Sequence, residues 1–195
     1  MPSPHQKLFL ITGSSGVGKN AIITELIKRH PVLQHVTSVT TRWPARDEER
    51  FGDAYYFTDE ERFKWLSQSG QFVETTSVYG ASYGTLLIDL ERAWGSKRQP
   101  ITSVDTRGIE NYRAKGYEIV AIFLDFPSTN EQKHRILHRQ PNISPETLDE
   151  RLSVAAEERA WAAKESQAGR IHIVVNDKLG ACTTDVANIF QLNLS

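Results

Sequence analysis

The sequence predicts an α/β protein: a parallel sheet flanked by helices, with an inserted, partly β lobe and a helical lid. Three observations carry this prediction. Segments that read as buried strands recur at residues 8–11, 101–104, 119–124 and 171–175, the first and third of them short, continuous apolar runs, as strands buried on both faces of a sheet require. Helical patterns separate the later runs, and strands alternating with helices imply parallel pairing through right-handed crossovers. Between the first two runs the alternation breaks, and residues from about 37 to 90 are rich in Thr, Tyr, Arg and Gly.

Each element has its own local signal. The first apolar run leads into a Gly/Ser turn, after which Ala21, Ile22, Leu26 and Ile27 recur at helical spacing. His30-Pro31 ends that helix, because the residue before a proline is pushed out of helical geometry. Inside the inserted lobe one helix is marked by Thr58 as cap, Glu61 completing a capping box, Phe63 and Leu66 as apolar face, and Gly70 as stop. A second insertion carries His134, Arg135, His138 and Arg139 on one helix, which Gln140-Pro141-Asn142-Ile143 breaks. Ser144-Pro145-Glu146 then opens another helix with a capping serine, a proline at the first position and an acid in the first turn. The expected layout is a single domain over 1–195: a core of about 1–36, 91–126 and 164–195, a lobe of about 37–90 and a lid of about 127–163.

Composition narrows the function. The 195 residues carry 23 Lys+Arg against 24 Asp+Glu, a net charge of −1, which argues against a partner that is polymeric nucleic acid but leaves room for a local basic site. The single cysteine, Cys182, forbids an intramolecular disulfide and a multi-cysteine zinc cluster. The longest apolar run has six residues, far short of the ~20 that span a bilayer. The N-terminus reads polar and Pro-rich rather than as a signal peptide, so a cytoplasmic protein without a membrane partner is expected. Nothing in the sequence specifies an oligomeric state.

The most specific motif is Gly13-Ser14-Ser15-Gly16-Val17-Gly18-Lys19-Asn20, which follows the first strand and opens the first helix with the spacing G-x-x-x-x-G-K. Glycines let backbone N–H groups curl around an anion, and the helix N-terminus adds about half a positive charge. Lys19 can then reach the β- and γ-phosphates of a nucleoside triphosphate. The sheet is therefore expected to be of P-loop NTPase type. Asn20 stands where a hydroxyl residue usually ligates magnesium; its amide oxygen can serve instead, as can water.

A second anion site is suggested by Thr40-Thr41-Arg42 and Arg46, with Tyr55-Tyr56-Phe57 just downstream. Paired guanidiniums grip phosphate bidentately, and a tyrosine hydroxyl adds a donor. With these residues the chain resembles the guanylate kinase family, whose signature is matched by Thr40-Thr41-Arg42, Arg46, Glu49, Gly52, Tyr55 and Phe57 with Ala45 as an inserted residue. The resemblance runs on through Phe72-Val73-Glu74, Tyr79-Gly80-Ala81-Ser82-Tyr83-Gly84-Thr85 and Val174-Val175-Asn176-Asp177.

The resemblance implies transfer of the γ-phosphate of ATP, with Mg2+, to GMP or dGMP. It implies that Arg42, Arg46, Tyr55 and Tyr83 hold the acceptor phosphate, and that Ser38, Glu74 and Thr85 read guanine. The chemistry agrees, since a carboxylate accepts from the N1–H and N2–H₂ pair that adenine lacks, and the hydroxyls of Ser38 and Thr85 can donate to O6. Asp105 matches an acid of the family pattern as a base contact or outer magnesium partner, and it equally suits a helix cap. Ser103 and Arg107 depart from that pattern, standing where an acid and a glutamine are usual. Arg135, Arg139 and Arg151 match lid arginines that close over the ATP phosphates, where guanidiniums quench charge in phosphoryl transfer. Lys19, Arg42, Arg135, Arg139 and Arg151 are thus the expected catalytic set. Two alternatives stay open on sequence: a non-catalytic binding module of the same fold, and a P-loop kinase for another phosphorylated metabolite.

Overall fold

The computed structural model describes residues 7–43, 55–78 and 80–192. Strand β1 (Leu8–Thr12) is buried along its whole length and delivers the chain into the glycine loop. Helix α1 (Lys19–Arg29) follows, buries Ile22, Ile23 and Leu26, and closes with Lys28 and Arg29 against its negative end. His30 is its C-cap, as the following proline dictates.

Next come β2 (Leu33–His35), β3 (Ser38–Thr40), β4 (Tyr55–Phe57) and helix α2 (Glu60–Gln68). The cap of α2 is Asp59 rather than the expected Thr58: the Asp59 side chain accepts from the Arg62 backbone N–H at 2.7 Å. A shift of one residue places Arg62, not Glu61, at the third helical position, so the capping box does not form. The chain continues through β5 (Phe72–Val78), β6 (Ala81–Leu86), α3 (Leu87–Gly95), β7 (Gln99–Ser103) and α4 (Thr106–Ala114). It ends with β8 (Ile119–Asp125), α5 (Thr129–Arg139), α6 (Pro145–Gln167), β9 (His172–Val175) and α7 (Leu179–Ile189). Ser144 caps α6 as expected, its hydroxyl accepting from the Thr147 N–H at 3.2 Å, with Pro145 at the first helical position.

The predicted α/β architecture is present. Five strands form a parallel sheet in the order β2-β7-β1-β8-β9. A second, four-stranded sheet has the order β4-β3-β6-β5, with β3 parallel to β4 and antiparallel to β6. It supplies the partly β lobe that the Thr- and Tyr-rich stretch announced. β5 is an end strand of this sheet, and the carbonyls of its alternate residues Val73 and Thr75 accept from Lys115 Nζ and from Asn111 Nδ2 (3.3 Å for the latter).

The described residues group into two compact units. The first is drawn from Met1–Phe9 and Pro31–Ile119, the second from Leu10–His30 and Val120–Ser195. The first buries Leu33, Leu90, Ile101, Ile109 and Tyr112; the second buries Leu10, Ile11, Ile22, Leu26, Ile122, Phe123 and Val186. Among the described residues, no helix is long and apolar enough to cross a membrane.

Candidate active site

The second unit carries the glycine loop. Gly13 and Gly18 both take left-handed backbone angles (φ 136° and 100°), which L side chains rarely adopt. A Cβ at Gly13 would stand 2.3 Å from the Leu124 carbonyl oxygen, and one at Gly18 would stand 2.7 Å from Asn176 Nδ2. The loop is therefore shaped by positions that admit only glycine. Gly18 caps α1 without a side-chain bond, and the first turn of α1 holds no acid, so its N–H groups and dipole are left for an anion. Lys19 Nζ donates to the carbonyls of Gly13 and Ser14, arching its ammonium back over the loop.

Two residues without a role in the sequence reading brace this loop. Asn176 is buried just after β9 and donates from Nδ2 to the Val17 carbonyl at 2.7 Å. Glu158 of α6 accepts from the Ser14 hydroxyl at 2.7 Å. A polar residue directly after a buried strand was a legible hint for Asn176. Glu158 lies among other charged residues of a long helix and gave none.

The expected lid arginines occupy α5 and α6. Arg135 donates to Glu131 at 2.6 Å, reaches the Asp177 carbonyl at 3.5 Å, and lies 5.6 Å over the Phe126 ring. Arg139 sits in the last turn of α5. Arg151 donates to the Gln140 side chain at 2.5 Å across the break between the helices. A further arginine, Arg159, bonds Asp125 at 2.8 Å and also Gln132, fixing α6 to the end of β8 and to α5.

The first unit brings Ser38, Tyr55, Glu74, Tyr83 and Thr85, expected from sequence to read base and phosphate, together on the four-stranded sheet. Register sets Glu74 opposite Thr85, Thr40 opposite Tyr83 and Ser38 opposite Tyr55. Arg42 follows β3, its backbone N–H bonded to Thr40 Oγ1 at 3.1 Å and its guanidinium 5.5 Å from the centre of the Tyr55 ring. Tyr55 and Tyr83 meet edge to face at 5.8 Å. These three side chains therefore form one cationic, hydroxyl-bearing cluster suited to a phosphate monoester. Arg46 lies outside the described residues.

Glu74 is 5% exposed, and Thr85 Oγ1 donates to its Oε1 at 2.9 Å, while Oε2 is buried without a partner. Burial pushes its pKa up to about 7; the Thr85 bond and Lys115 oppose the rise, and the charge of Asp105 adds to it. Because the one proton of Thr85 is directed at Glu74, the hydroxyl of this pair left to donate to a carbonyl is that of Ser38. Asp105 bridges the sheet and α4: its Oδ1 caps α4 by accepting from the Gly108 N–H at 2.7 Å, and its Oδ2 accepts from the Thr76 hydroxyl at 2.7 Å.

A glycine cradle with its lysine in one unit and a buried acid with an open oxygen in the other are the parts a nucleotide kinase needs. The family model for guanylate kinase matches residues 5–193. The chain belongs to the guanylate kinase family. It is 33% identical over 187 residues to the guanylate kinase of Prochlorococcus marinus, covering 96% of this chain and 95% of that one. It is 32% identical over 185 residues to the guanylate kinase of Chlamydia felis, covering 94% of this chain and 87% of the relative. The fold is also that of the crystal structure of guanylate kinase from Anaplasma phagocytophilum, at a TM-score of 0.74 and 24% identity, over 95% of this chain and 85% of that one.

Proposed function

We propose that this chain transfers the γ-phosphate of ATP to GMP or dGMP. The observation that carries the choice of acceptor is the buried Glu74 carboxylate, tied through one oxygen to Thr85 and open at the other. Ionised, it is acceptor-only and matches adjacent donors such as guanine N1–H and N2–H₂. Adenine leaves that oxygen unpaired, which penalises AMP. Arg42, Tyr55 and Tyr83, with Arg46, hold the acceptor phosphate in this reading. Asp105 acts by holding Thr76 and α4.

The donor triphosphate belongs to the loop from Gly13 to Asn20, including Ser14, Ser15, Gly16 and Val17. Magnesium takes most of its ligands from water and phosphate oxygens. A single hard oxygen from Asn20, in the first turn of α1, therefore suits it, and no cluster of three His, Cys, Asp or Glu side chains occurs among the described residues. Held there, magnesium would supply neutralisation of phosphate charge and Lewis-acid polarisation.

A phosphate monoester has a second pKa near ~6, so the acceptor is largely dianionic at neutral pH and needs no general base. Catalysis then rests on in-line positioning and on Lys19, Arg135, Arg139 and Arg151 quenching charge on the equatorial oxygens. Arg135 and Arg151 would exchange Glu131 and Gln140 for phosphate as the lid, about 127–163, closes and excludes water. A lobe of about 37–90 and a core made of the rest complete this division of labour, and a cytoplasmic setting goes with it.

A coupled assay with ATP and magnesium, offering GMP, dGMP, AMP, CMP and UMP in turn, tests the proposal. Turnover with GMP and dGMP alone is expected. Turnover of none of them, with ATP still bound, would refute it.

A further inference from the structure

Among the described residues of the first unit, the hydroxyl of Tyr112 is one of the buried polar groups without a hydrogen-bond partner. The residue is fully buried in α4, its ring edge-on to Tyr117 at 5.5 Å, and its hydroxyl has no hydrogen bond of ordinary geometry. A buried, unsatisfied hydroxyl is costly, and phenylalanine would fill the same space without that cost. Asn111 and Lys115, on either side of Tyr112, bond the carbonyls of Thr75 and Val73, which sets Tyr112 beside Glu74, with Thr85 as the polar side chain its hydroxyl feels. Glu74 Oε2 is the complementary orphan, a buried acceptor without a donor.

We propose that Tyr112 is a positioning residue for base recognition, its hydroxyl orienting the Glu74 carboxylate through the hydroxyl of Thr85. The inference rests on Glu74 as the guanine reader. Its direction follows from proton inventory. An ionised carboxylate only accepts, so Thr85 gives its single proton to Glu74 Oε1. Thr85 Oγ1 is then able only to accept on its remaining side, and the phenol of Tyr112 has one proton to give. Each bond in such a series polarises the next, so a donor at the far end strengthens the hold on the charged form of Glu74. Oε2 stays open toward the base.

Protonated Glu74 would reverse the series. It would donate to Thr85 or toward the base, and guanine N1–H would meet a donor. The charged and titratable groups around it act on the same balance. Asp105 opposes ionisation of Glu74 and Lys115 favours it, whereas Tyr112 is itself held neutral by burial, with Tyr117 beside it.

The test is Tyr112→Phe, assayed for GMP, AMP and ATP across about pH 5.5 to 9. The ring is kept, and thermal melting checks that the fold is too. Losing the phenol proton should raise KM for GMP about five- to tenfold with little change in kcat or in KM for ATP. The acid limb of kcat/KM for GMP should move to higher pH. A purely structural tyrosine predicts neither, and an unchanged KM and acid limb would overturn the proposal. Thr85→Val supplies a second reading: in that background Tyr112→Phe should add nothing, and an additive loss would break the relay. Glu74→Gln separates the two layers of inference. If it keeps the preference for GMP over AMP, the base-reading assignment fails and the relay with it. If it abolishes the preference while Tyr112→Phe behaves as wild type, only the relay fails.

Discussion

A carboxyl group as deeply buried as that of Glu74 works against the stability of the protein that contains it. Its pKa rises from 4.5 to about 7 on folding. Below about 4.5 both folded and unfolded chains hold the proton, and stability is unaffected. Between 4.5 and 7 the folded chain binds more protons than the unfolded one, so stability falls as pH rises, levelling off at a loss of about 3 kcal/mol. Glu74→Gln should therefore melt above the wild type at pH 8, with the gap closing toward pH 5. A gap independent of pH in paired melts would contradict the burial argument. Lys19 is the opposite case, since its ammonium bonds loop carbonyls, those of Gly13 and Ser14, at the surface of the glycine turn. Lys19→Ala should lower turnover by roughly two to three orders of magnitude while leaving the melting temperature nearly unchanged. The sequence displayed Lys19 because its glycine loop is local. It displayed Glu74 only in company, through a partner eleven residues away on the neighbouring strand. Tyr112 was silent, since an aromatic residue at helical spacing reads as packing, and only the fold shows where its hydroxyl ends.

At the scale of elements, sequence punctuation was most reliable where one residue decides a boundary. Pro31, Ser144 and Pro145 set the helix ends expected of them. Thr58 and Asp59 are both good caps, so propensity could not choose between adjacent positions; the strand pairing that carries Phe57 decided for Asp59. Asp105 shows why a motif acid resists assignment from sequence. A cap and a tie to Thr76 of β5 are both present, one on each carboxylate oxygen. Asp105→Ala should remove both and cost about 2 kcal/mol. Asp105→Asn keeps a capping oxygen and should recover about half of that in urea titrations. Equal losses for the two variants would mean that the cap contributes nothing.

For the whole molecule, the legible part was the α/β alternation, and the part that escaped was the grouping into two units. Residues 10–30 join 120–195 although residues 31–119 of the first unit lie between them in sequence, and no local pattern records contacts of that range. The grouping makes a prediction about ligands, because anything that binds only the native state raises stability by mass action. ATP should raise the melting temperature through the loop of the second unit, and GMP through the sheet of the first. Lys19→Ala should abolish the shift with ATP and keep that with GMP, and Glu74→Gln should do the reverse. Loss of both shifts in either variant would show that the sites do not load separately. The four-stranded sheet also has an unguarded flank to manage. β5 ends it, and an open border of peptide groups invites a foreign chain to dock there and seed fibrous aggregates. Asn111 and Lys115 stand one helical turn apart while Thr75 and Val73 stand two strand residues apart, so α4 stitches that border shut at nearly matching intervals. The same helix that carries Tyr112 thereby shields the four-stranded sheet from self-association.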